Sequence, residues 1–382
     1  MSNRTIEQNL TLLSSTKRDI RNAINIKGGS VSSATPFADY ATAISNLPSG
    51  GGGEDLDWSL IGYSARPSVI DDAYAYARQI YVDWDATKIN LDNKFNNDIQ
   101  LVYMPLVDTS NATRMYQMFN GCSRLTSIPL LDTSKVITME SMFNNCKSLT
   151  SVPQLNTSAC TKMSNMFNGC SGLTTVPEFN TSACTDMNLM FTGCMGITTV
   201  PPFDTSNVTT MQMMFASCSG LTTVPQFDTS KVTTMQQMFL NCSGLTTVPP
   251  LNTSACTNMT QMFNGCSKLE KIEGLDFTSV TSISNFFGTS NNTTLRYALF
   301  KNLGTPSGMT SYDFSRARNW GVADSTYTDA RDSLVDSLLT YSFNRATAGY
   351  STCTIKLYST VKNLLTAQEI SDIQAKGYTI TT

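Results

Sequence analysis

Cysteine is the residue type whose spacing most strongly suggests chemistry in this sequence. There are 11 cysteines, and seven of them recur every 24 residues, at Cys122, Cys146, Cys170, Cys194, Cys218, Cys242 and Cys266. Three more form a second series, Cys160, Cys184 and Cys256, in the register where other copies have Val136, Val208 and Val232. Exchange with valine predicts buried, free thiols. The alternative is disulfides or a metal site, which would need several thiols to converge.

Aspartate and asparagine form a third series with the same interval. It consists of Asp108, Asp132, Asn156, Asn180, Asp204, Asp228, Asn252 and Asp276. A ladder of carboxylates is a potential calcium site, but asparagine takes three of the eight positions, which favours turn-forming side chains instead. The chain has no histidine, which excludes Ser-His-Asp and Cys-His catalysis. No carboxylate pair has the spacing of a glycosidase. We therefore predict a protein that is not an enzyme and has no cofactor.

Hydroxyl groups form the remaining candidate site. Two adjacent threonine positions recur in each 24-residue interval, and a polar residue often follows the next proline. A flat, weakly charged array of hydroxyls suits polar or glycan ligands, although threonine also favours a soluble β surface. The predicted ligand-binding residues are Thr150, Thr174, Thr175, Thr198, Thr199, Thr222, Thr223, Thr246, Thr247, Gln154, Glu178 and Gln226.

All these series belong to one 24-residue repeat. Its consensus is D/N-T-S-x-V/C-T-x-M-x-x-M-F-x-x-C-S-x-L-T-x-V-P-x-F/L, with seven full copies over 108–275 and a fading eighth copy. Met163, Met166, Phe167 and Cys170 have the spacing of one face of a short helix, for which Thr161 would be the N-cap and Gly169 the left-handed C-cap. A short strand would follow at 173–176. Stacked units of this kind predict an α/β repeat solenoid.

The repeat resembles the BspA-like leucine-rich repeats of bacterial surface proteins, in their Met-Phe variant. Seven copies agree in phase, and the resemblance covers roughly residues 84–290. It implies a right-handed leucine-rich-repeat solenoid that is used for adhesion and binding. Flanking segments would cover the two ends of the array, because an exposed repeat face would aggregate.

The predicted domain boundaries follow from these patterns. Residues 1–47 form a helical module, 48–55 a glycine-rich linker, 56–107 an N-terminal cap with a degenerate repeat, 108–290 the solenoid and 291–382 a C-terminal cap. Trp58, Ile61, Tyr63, Ile80, Tyr81, Val82 and Trp84 would cover the first repeat. In the C-terminal cap we expect a helix over 329–341, a strand over 354–358, a helix over 367–376 and a strand over 378–381, the last three forming a diverged coil.

The first module carries apolar residues with heptad spacing. They are Ile6, Leu10, Leu13, Ile20 and Ile24, followed by Phe37, Tyr40 and Ile44 on a second predicted helix. Such a seam either packs on its own chain or drives oligomerisation and docking. The segment from Thr16 to Ile44 resembles the N-terminal segments of phage tail-fibre and related virion proteins, which join a fibre to the particle.

This second resemblance implies a location and partners. We expect a virion fibre or appendage, made in the bacterial host cytoplasm, that binds other virion proteins through residues 1–47 and forms a homo-oligomer, with a trimer suggested by analogy. Its repeats would bind a glycan or protein of a host or mucosal surface. The alternative is a cell-anchored bacterial adhesin. The N-terminus shows no secretory signal pattern. A net charge of −3 argues against nucleic acid, and no apolar run is long enough to insert in a membrane.

Overall fold

The repeats form a stack of parallel coils. The computed structural model describes residue 80 and residues 85–288, 292–304, 309, 311–342 and 344–382. One series of isolated parallel bridges, between residues 24 apart, joins successive coils. The series is Asn90 to Arg114, then Thr138, Lys162, Asp186, Thr210, Thr234, Asn258 and Ser282. The sequence interval is thus also the interval of the hydrogen bonds, and the repeat solenoid is confirmed.

The short helix predicted in each repeat is wrong, because the backbone makes a series of tight turns there. In one coil, the N–H groups of Met166, Asn168 and Cys170 donate to carbonyls three residues earlier. The alternate N–H groups, those of Asn165 and Phe167, donate to the next coil, at 2.9 Å. Asn165 and Gly169 have φ of 58° and 75°, the left-handed value that a type II turn requires at its third residue. An α-helix cannot have a left-handed residue at every fourth position.

Two further details of the predicted unit change with it. Thr161 is not an N-cap, since its hydroxyl donates to the carbonyl of Ile137 in the preceding coil, at 3.3 Å. Gly169 has the predicted left-handed conformation, but it belongs to a turn and not to a helix end. The predicted strand over 173–176 is an extended segment that makes few ladder bonds, such as Thr174 N–H to the Thr150 carbonyl at 3.1 Å.

The core is a set of columns along the axis of the array. Methionine, phenylalanine, cysteine and leucine of each repeat are buried, as predicted. The invariant phenylalanine rings stack from Phe95 to Phe263, with centroids 5.5 to 5.8 Å apart and ring planes within 4° to 8° of parallel. Aromatic pairs add to the free energy of burial, so this column holds neighbouring coils in register. In the eighth copy the stack becomes irregular: Phe287 lies 6.2 Å from Phe263 and is tilted by 23°, while Phe286 meets Phe263 edge-on.

The polar turn between coils contains a buried threonine that sequence patterns did not single out. Thr181 is 1% exposed, and its hydroxyl donates to the Asp204 carbonyl of the next coil, at 2.8 Å. Beside it, the N–H and hydroxyl of Ser182 both donate to the side-chain oxygen of Asn180. The predicted turn is confirmed. The same buried bond recurs at Thr109, Thr133, Thr157, Thr205, Thr229 and Thr253.

Within the described residues, regular strands appear towards the C-terminal end of the array and beyond it. Strands β1 (Thr247–Val248), β2 (Lys271–Asp276) and β3 (Tyr297–Lys301) form one parallel sheet. Strands β4 (Ser311–Asp313), β5 (Cys353–Lys356) and β6 (Tyr378–Thr381) form a second one, also parallel.

Three helical segments connect the strands of the second sheet. Helix α1 (Ala330–Val335) continues as a π-helix (Asp336–Thr340), and α2 (Ser359–Lys362) and α3 (Ala367–Ala375) precede β6. The predicted helices over 329–341 and 367–376 and the predicted strand over 378–381 are therefore confirmed within a residue. The strand predicted over 354–358 lies at Cys353–Lys356.

The C-terminal region is tied to the array by the buried Asn292, whose side-chain amide donates to the Cys266 carbonyl at 3.0 Å, and it has polar contacts of its own. The indole N–H of Trp320 donates to the Ala298 carbonyl in β3, at 3.0 Å. Residues 353 and 378 pair in parallel, so β5, α3 and β6 make one diverged coil, as expected. Arg331 on α1 donates to both carboxylate oxygens of Glu369 on α3, at 2.8 and 2.9 Å. This region thus continues the stack with larger coils.

The degenerate copy before the array is also a coil. Phe95 is the first ring of the stack, and the Leu91 N–H donates to the Arg114 carbonyl at 2.9 Å. Of the residues predicted to cover this end, Ile80 is partly buried against the core. The others, Trp58, Ile61, Tyr63, Tyr81, Val82 and Trp84, lie outside the described residues.

Candidate functional site

The predicted ligand-binding threonines lie on one surface of the array. Leu173 is buried and Val176 partly buried, so that Thr174 and Thr175 between them face outwards. We call this surface the threonine face and define it by the residues predicted for ligand binding. Thr150, Thr174, Thr175, Thr198, Thr199, Thr222, Gln154, Glu178 and Gln226 are exposed, whereas Thr223, Thr246 and Thr247 are half-buried. The repeat brings all twelve residues together in two parallel rows and a flanking one.

The first row of hydroxyls is oriented by the backbone. The Thr174 hydroxyl donates to the Thr150 carbonyl at 3.3 Å, and the Thr222 hydroxyl donates to the Thr198 carbonyl at the same distance. The Thr246 hydroxyl donates to the Thr222 carbonyl at 3.1 Å. A hydroxyl that donates its only hydrogen keeps its lone pairs for acceptance. This row therefore offers fixed acceptors to a ligand.

The other positions of the threonine face also have few free donors. The side-chain amide of Gln154 donates to the Glu178 carbonyl at 2.8 Å, and that of Gln226 donates to the Pro250 carbonyl. The prolines that follow the extended segments have no N–H group. The groups left to bind a ligand are carboxylate, amide and hydroxyl oxygens, together with the exposed hydroxyls of Thr175 and Thr199. The face is complementary to ligands rich in hydrogen-bond donors, such as sugar hydroxyls.

A second row of exposed threonines lies elsewhere on the coils and was missed. The hydroxyls of Thr185 and Thr209 donate to the carbonyls of the preceding coil, at 3.3 and 3.2 Å. The sequence signal was present, since a threonine stands two residues before the first methionine of most copies. We call it the second threonine row; its members are Thr113, Thr161, Thr185, Thr209, Thr233, Thr257 and Thr281. It has the chemistry of the threonine face without its proline and glutamine neighbours.

The acidic series forms turns. Oδ1 of Asp204 accepts hydrogen bonds from the N–H and hydroxyl of Ser206, at 3.1 and 2.7 Å. These bonds lower the pKa of Asp204, and those from Ser230 lower the pKa of Asp228. A lowered pKa in the folded state means stability that is present above the ordinary carboxyl pKa and is lost as the pH falls through the folded value. Across the described ranges, no group of three or more cysteines or carboxylates is arranged to hold a metal ion.

The cysteines are buried thiols, as predicted, and each makes a specific bond. In the first series the thiol donates to the phenylalanine carbonyl of the preceding coil, as Cys170 does to Phe143 at 2.9 Å and Cys194 to Phe167 at 3.1 Å. Burial raises the pKa of Cys170 to about 12. In the second series, the Cys184 thiol reaches the Asp186 carbonyl at 3.4 Å. All 11 cysteines are free, so the alternative of disulfides is wrong.

The residues predicted for docking belong to the N-terminal segment. Ile6, Leu10, Leu13, Ile20, Ile24, Phe37, Tyr40 and Ile44 lie outside the described residues. Among the helices of the described ranges, none has the length and apolar character needed to cross a bilayer.

One protein family matches this array of turns and buried columns. It is described as "Mycoplasma protein of unknown function, DUF285", and it matches residues 87–200 and 196–298, which together make up more than half of the chain. The chain belongs to this family. Among curated proteins, none matches the sequence.

Several solved structures of bacterial repeat proteins are similar to this DUF285 chain. The leucine-rich repeat protein TpLRR of T. pallidum is 15% identical, with 48% of this chain and 71% of that chain covered and a TM-score of 0.26. A leucine-rich repeat protein of Eubacterium ventriosum is 17% identical, with 57% and 86% covered and a TM-score of 0.18. The functional domain of InlJ from Listeria monocytogenes, which includes a cysteine ladder, is 16% identical, with 67% and 53% covered and a TM-score of 0.25.

Proposed function

We propose that the repeat array is the binding part of an adhesion protein and that the threonine face contacts the ligand. The observation that carries this proposal is the row of acceptors that the backbone fixes at Thr174, Thr222 and Thr246. The other hydroxyls and polar side chains of the threonine face flank this row. A neutral hydrogen bond contributes about 0.5–1.5 kcal/mol net, so one coil binds weakly. Several coils acting on one extended ligand bind much more strongly. The protein has a structural and adhesive role, with no catalytic step.

The ligand class follows from the shortage of free donors on the threonine face. Glu178 is the one ionisable side chain among the residues that define the face. An anionic ligand would meet mostly acceptors there, whereas a neutral glycan can donate from many hydroxyls. We therefore place the ligand among neutral glycans, or glycan-bearing proteins, of a host-cell or mucosal surface.

For the location of the protein we propose a virion appendage. The support is the resemblance of the segment from Thr16 to Ile44 to virion attachment regions, together with the predicted apolar seam of residues 1–47. The alternative is a cell-borne adhesin, which the family description favours because it names a Mycoplasma protein. Binding of the full chain to purified virion proteins, or its oligomeric state by light scattering compared with a chain that starts at Asp55, separates the two. A virion fibre should lose oligomerisation or docking with the first 54 residues.

The binding proposal is tested by four substitutions in one row. We expect Thr175→Lys, Thr199→Lys, Thr223→Lys and Thr247→Lys, made together, to abolish adsorption to host cells or purified surface glycans, because the long lysine side chains would cover the adjacent row of fixed acceptors. Thermal unfolding should show that the variant is folded.

The second threonine row supplies the matched control. Thr161→Lys, Thr185→Lys, Thr209→Lys and Thr233→Lys add the same charge to the same coils on a different surface, and adsorption should survive. Equal loss in both variants would point to a general effect of charge, and no loss in either would remove the threonine face as the binding site.

A further inference from the structure

Three copies of one hexapeptide offer a comparison within a single chain. M-F-N-G-C-S occurs at 118–123, 166–171 and 262–267, and it contains the three Asn-Gly pairs of the sequence, Asn120-Gly121, Asn168-Gly169 and Asn264-Gly265. Asn-Gly is the dipeptide most prone to deamidation, since glycine has no side chain to hinder its nitrogen. In all three copies the glycine has nearly the same backbone conformation, with φ of 76°, 75° and 81°. Any difference in reactivity must therefore come from the surrounding coils.

The glycine nitrogen is hydrogen-bonded in two of the copies. The N–H of Gly121 donates to the Asn144 carbonyl and that of Gly169 to the Thr192 carbonyl, each at 2.7 Å. These bonds are part of a continuous ladder at 2.6 to 2.7 Å, in which the N–H groups of residues 97, 121, 145, 169, 193, 217 and 241 donate to the following coil. To act as a nucleophile, such a nitrogen must first leave its acceptor and lose its proton.

The third copy lies where this ladder stops. In the part of the chain that the structure describes, the Gly265 N–H has no acceptor. The corresponding residue of the next coil is Gly288, whose φ of +81° differs from the conformation of Asn144 and Thr192, neither of which has a positive φ. The eighth copy is thus too irregular to place a carbonyl opposite Gly265.

The asparagine side chains differ in the same way. The side-chain amide of Asn120 donates to Oδ1 of Asn96, and that of Asn168 donates to Oδ1 of Asn165, both at 2.9 Å. Within the described ranges the Asn264 amide makes no hydrogen bond, and its Oδ1 lies against Gly288. Both reacting groups, the nitrogen and the side-chain carbonyl carbon, are therefore held in the first two copies and less restrained in the third.

We propose that Asn264 is a site of spontaneous deamidation in the folded protein and that Asn120 and Asn168 are protected. The Gly265 nitrogen loses its proton and forms a bond to Cγ of Asn264, the bond from Cγ to Nδ2 breaks, and ammonia leaves. Water then opens the resulting succinimide to aspartate or isoaspartate. No enzyme, metal or oxidant is needed.

The modification would act on the junction between the repeat array and the C-terminal region. Isoaspartate adds a methylene group to the main chain at the residue whose carbonyl accepts the Asn241 N–H at 2.7 Å. The new carboxylate would lie against Gly288. We therefore expect the modified form to unfold at a lower temperature than the fresh protein.

The experiment uses the full chain, incubated at mildly alkaline pH and followed by peptide mapping with isoaspartate detection. In the folded protein we expect the Asn264 peptide to convert at least about tenfold faster than the other two, since those must open locally first. In urea the three identical hexapeptides should convert at equal rates. Equal rates in the folded protein, or faster conversion at Asn120 or Asn168, would overturn the proposal.

Two substitutions at equivalent positions of different repeats identify the reactive asparagine without peptide mapping. Thr192 occupies the position of Asn264 in another copy, so threonine is tolerated there. Asn264→Thr should remove the fast release of ammonia, and Asn168→Thr should leave it unchanged. If Asn264→Thr keeps the fast release, the reactive asparagine lies elsewhere and the proposal is wrong.

Discussion

Each core thiol combines two properties, burial and a defined hydrogen bond. Burial raises the pKa of Cys242 to about 12 and that of Cys256 to about 11. With a pKa near 12, only about one thiol in ten thousand is ionised at pH 8, and the thiolate is the reactive form. We expect all 11 cysteines to react slowly with a thiol reagent while the protein is folded and rapidly after unfolding. Fast labelling of most of them in the native protein would contradict this burial.

The two cysteine series should differ when valine replaces them. Cys184→Val should change stability little, because Val208 occupies the same register and the bond from Cys184 is long, at 3.4 Å. Cys194→Val removes a 3.1 Å bond to the Phe167 carbonyl in a fully buried site and should cost about 1 kcal/mol more. The difference in urea unfolding between the two variants is the measurement. Equal effects would mean that the bond contributes nothing beyond the volume of the side chain.

The stacked phenylalanines offer a second prediction for single residues. The Phe191 ring lies 5.7 Å from both Phe167 and Phe215, so Phe191→Ala should destabilise the protein by about 3–5 kcal/mol through a cavity at the centre of the stack.

Phe203 provides the control, since leucine takes its register at Leu131, Leu155 and Leu251. Phe203→Leu should cost less than about 1.5 kcal/mol. Chemical denaturation of both variants gives the comparison, and a loss at Phe203 as large as that at Phe191 would show that the stack is not the more sensitive column.

In the turns, the left-handed positions decide the local structure. Asn165 suits its φ of 58°, since asparagine tolerates this region, but Leu189 and Met213 adopt φ of 56° and 54° in the same register. A left-handed backbone costs leucine and methionine more free energy than it costs asparagine. Met213→Asn should therefore stabilise the protein by about 0.5–1 kcal/mol. Asn165→Leu is the reverse change and should destabilise it by a similar amount. A loss of stability in Met213→Asn would mean that apolar contacts of Met213 exceed the conformational gain.

These turns explain which part of the fold could be predicted from sequence. The period, the buried columns and the polar turn follow from residue types alone. Met, Phe and Cys are buried at these positions whether the backbone is a helix or a series of turns. The helix was wrong because spacings of three and four residues also fit consecutive tight turns, and an apolar pattern does not show which carbonyl an N–H group reaches. Asn165 and Gly169, four residues apart, were the signal of left-handed residues inside the supposed helix.

For the candidate site, the sequence predicted which residues share a face but not which hydrogen bonds their hydroxyl groups make. The two rows of threonines were expected on one face, and they lie there. That Thr174 and Thr222 donate to the preceding coil, and so present acceptors, depends on the register between coils. The buried Thr181 was missed because a threonine between two polar residues resembles any surface turn.

At the scale of the whole molecule, binding should depend on the number of coils. Units are equivalent, so deletion of the 24 residues 180–203 should bring adjacent coils into the same hydrogen-bond register and leave a folded, shorter array. Each lost coil removes about 0.5–1.5 kcal/mol of contact per chain, and simultaneous attachment of many chains multiplies that loss. We expect adsorption to fall at least about twofold while the unfolding transition stays cooperative.

The same assay at two salt concentrations tests the nature of the contacts. Hydrogen bonds between neutral groups are hardly screened, whereas exposed ion pairs weaken as the Debye length shrinks. With Glu178 as the single charge among the residues of the threonine face, adsorption should change little when salt is raised. If deletion of the unit leaves adsorption unchanged and salt abolishes it, the binding site is a charged surface elsewhere, for which the C-terminal region is the first candidate, and the repeat array has an architectural role.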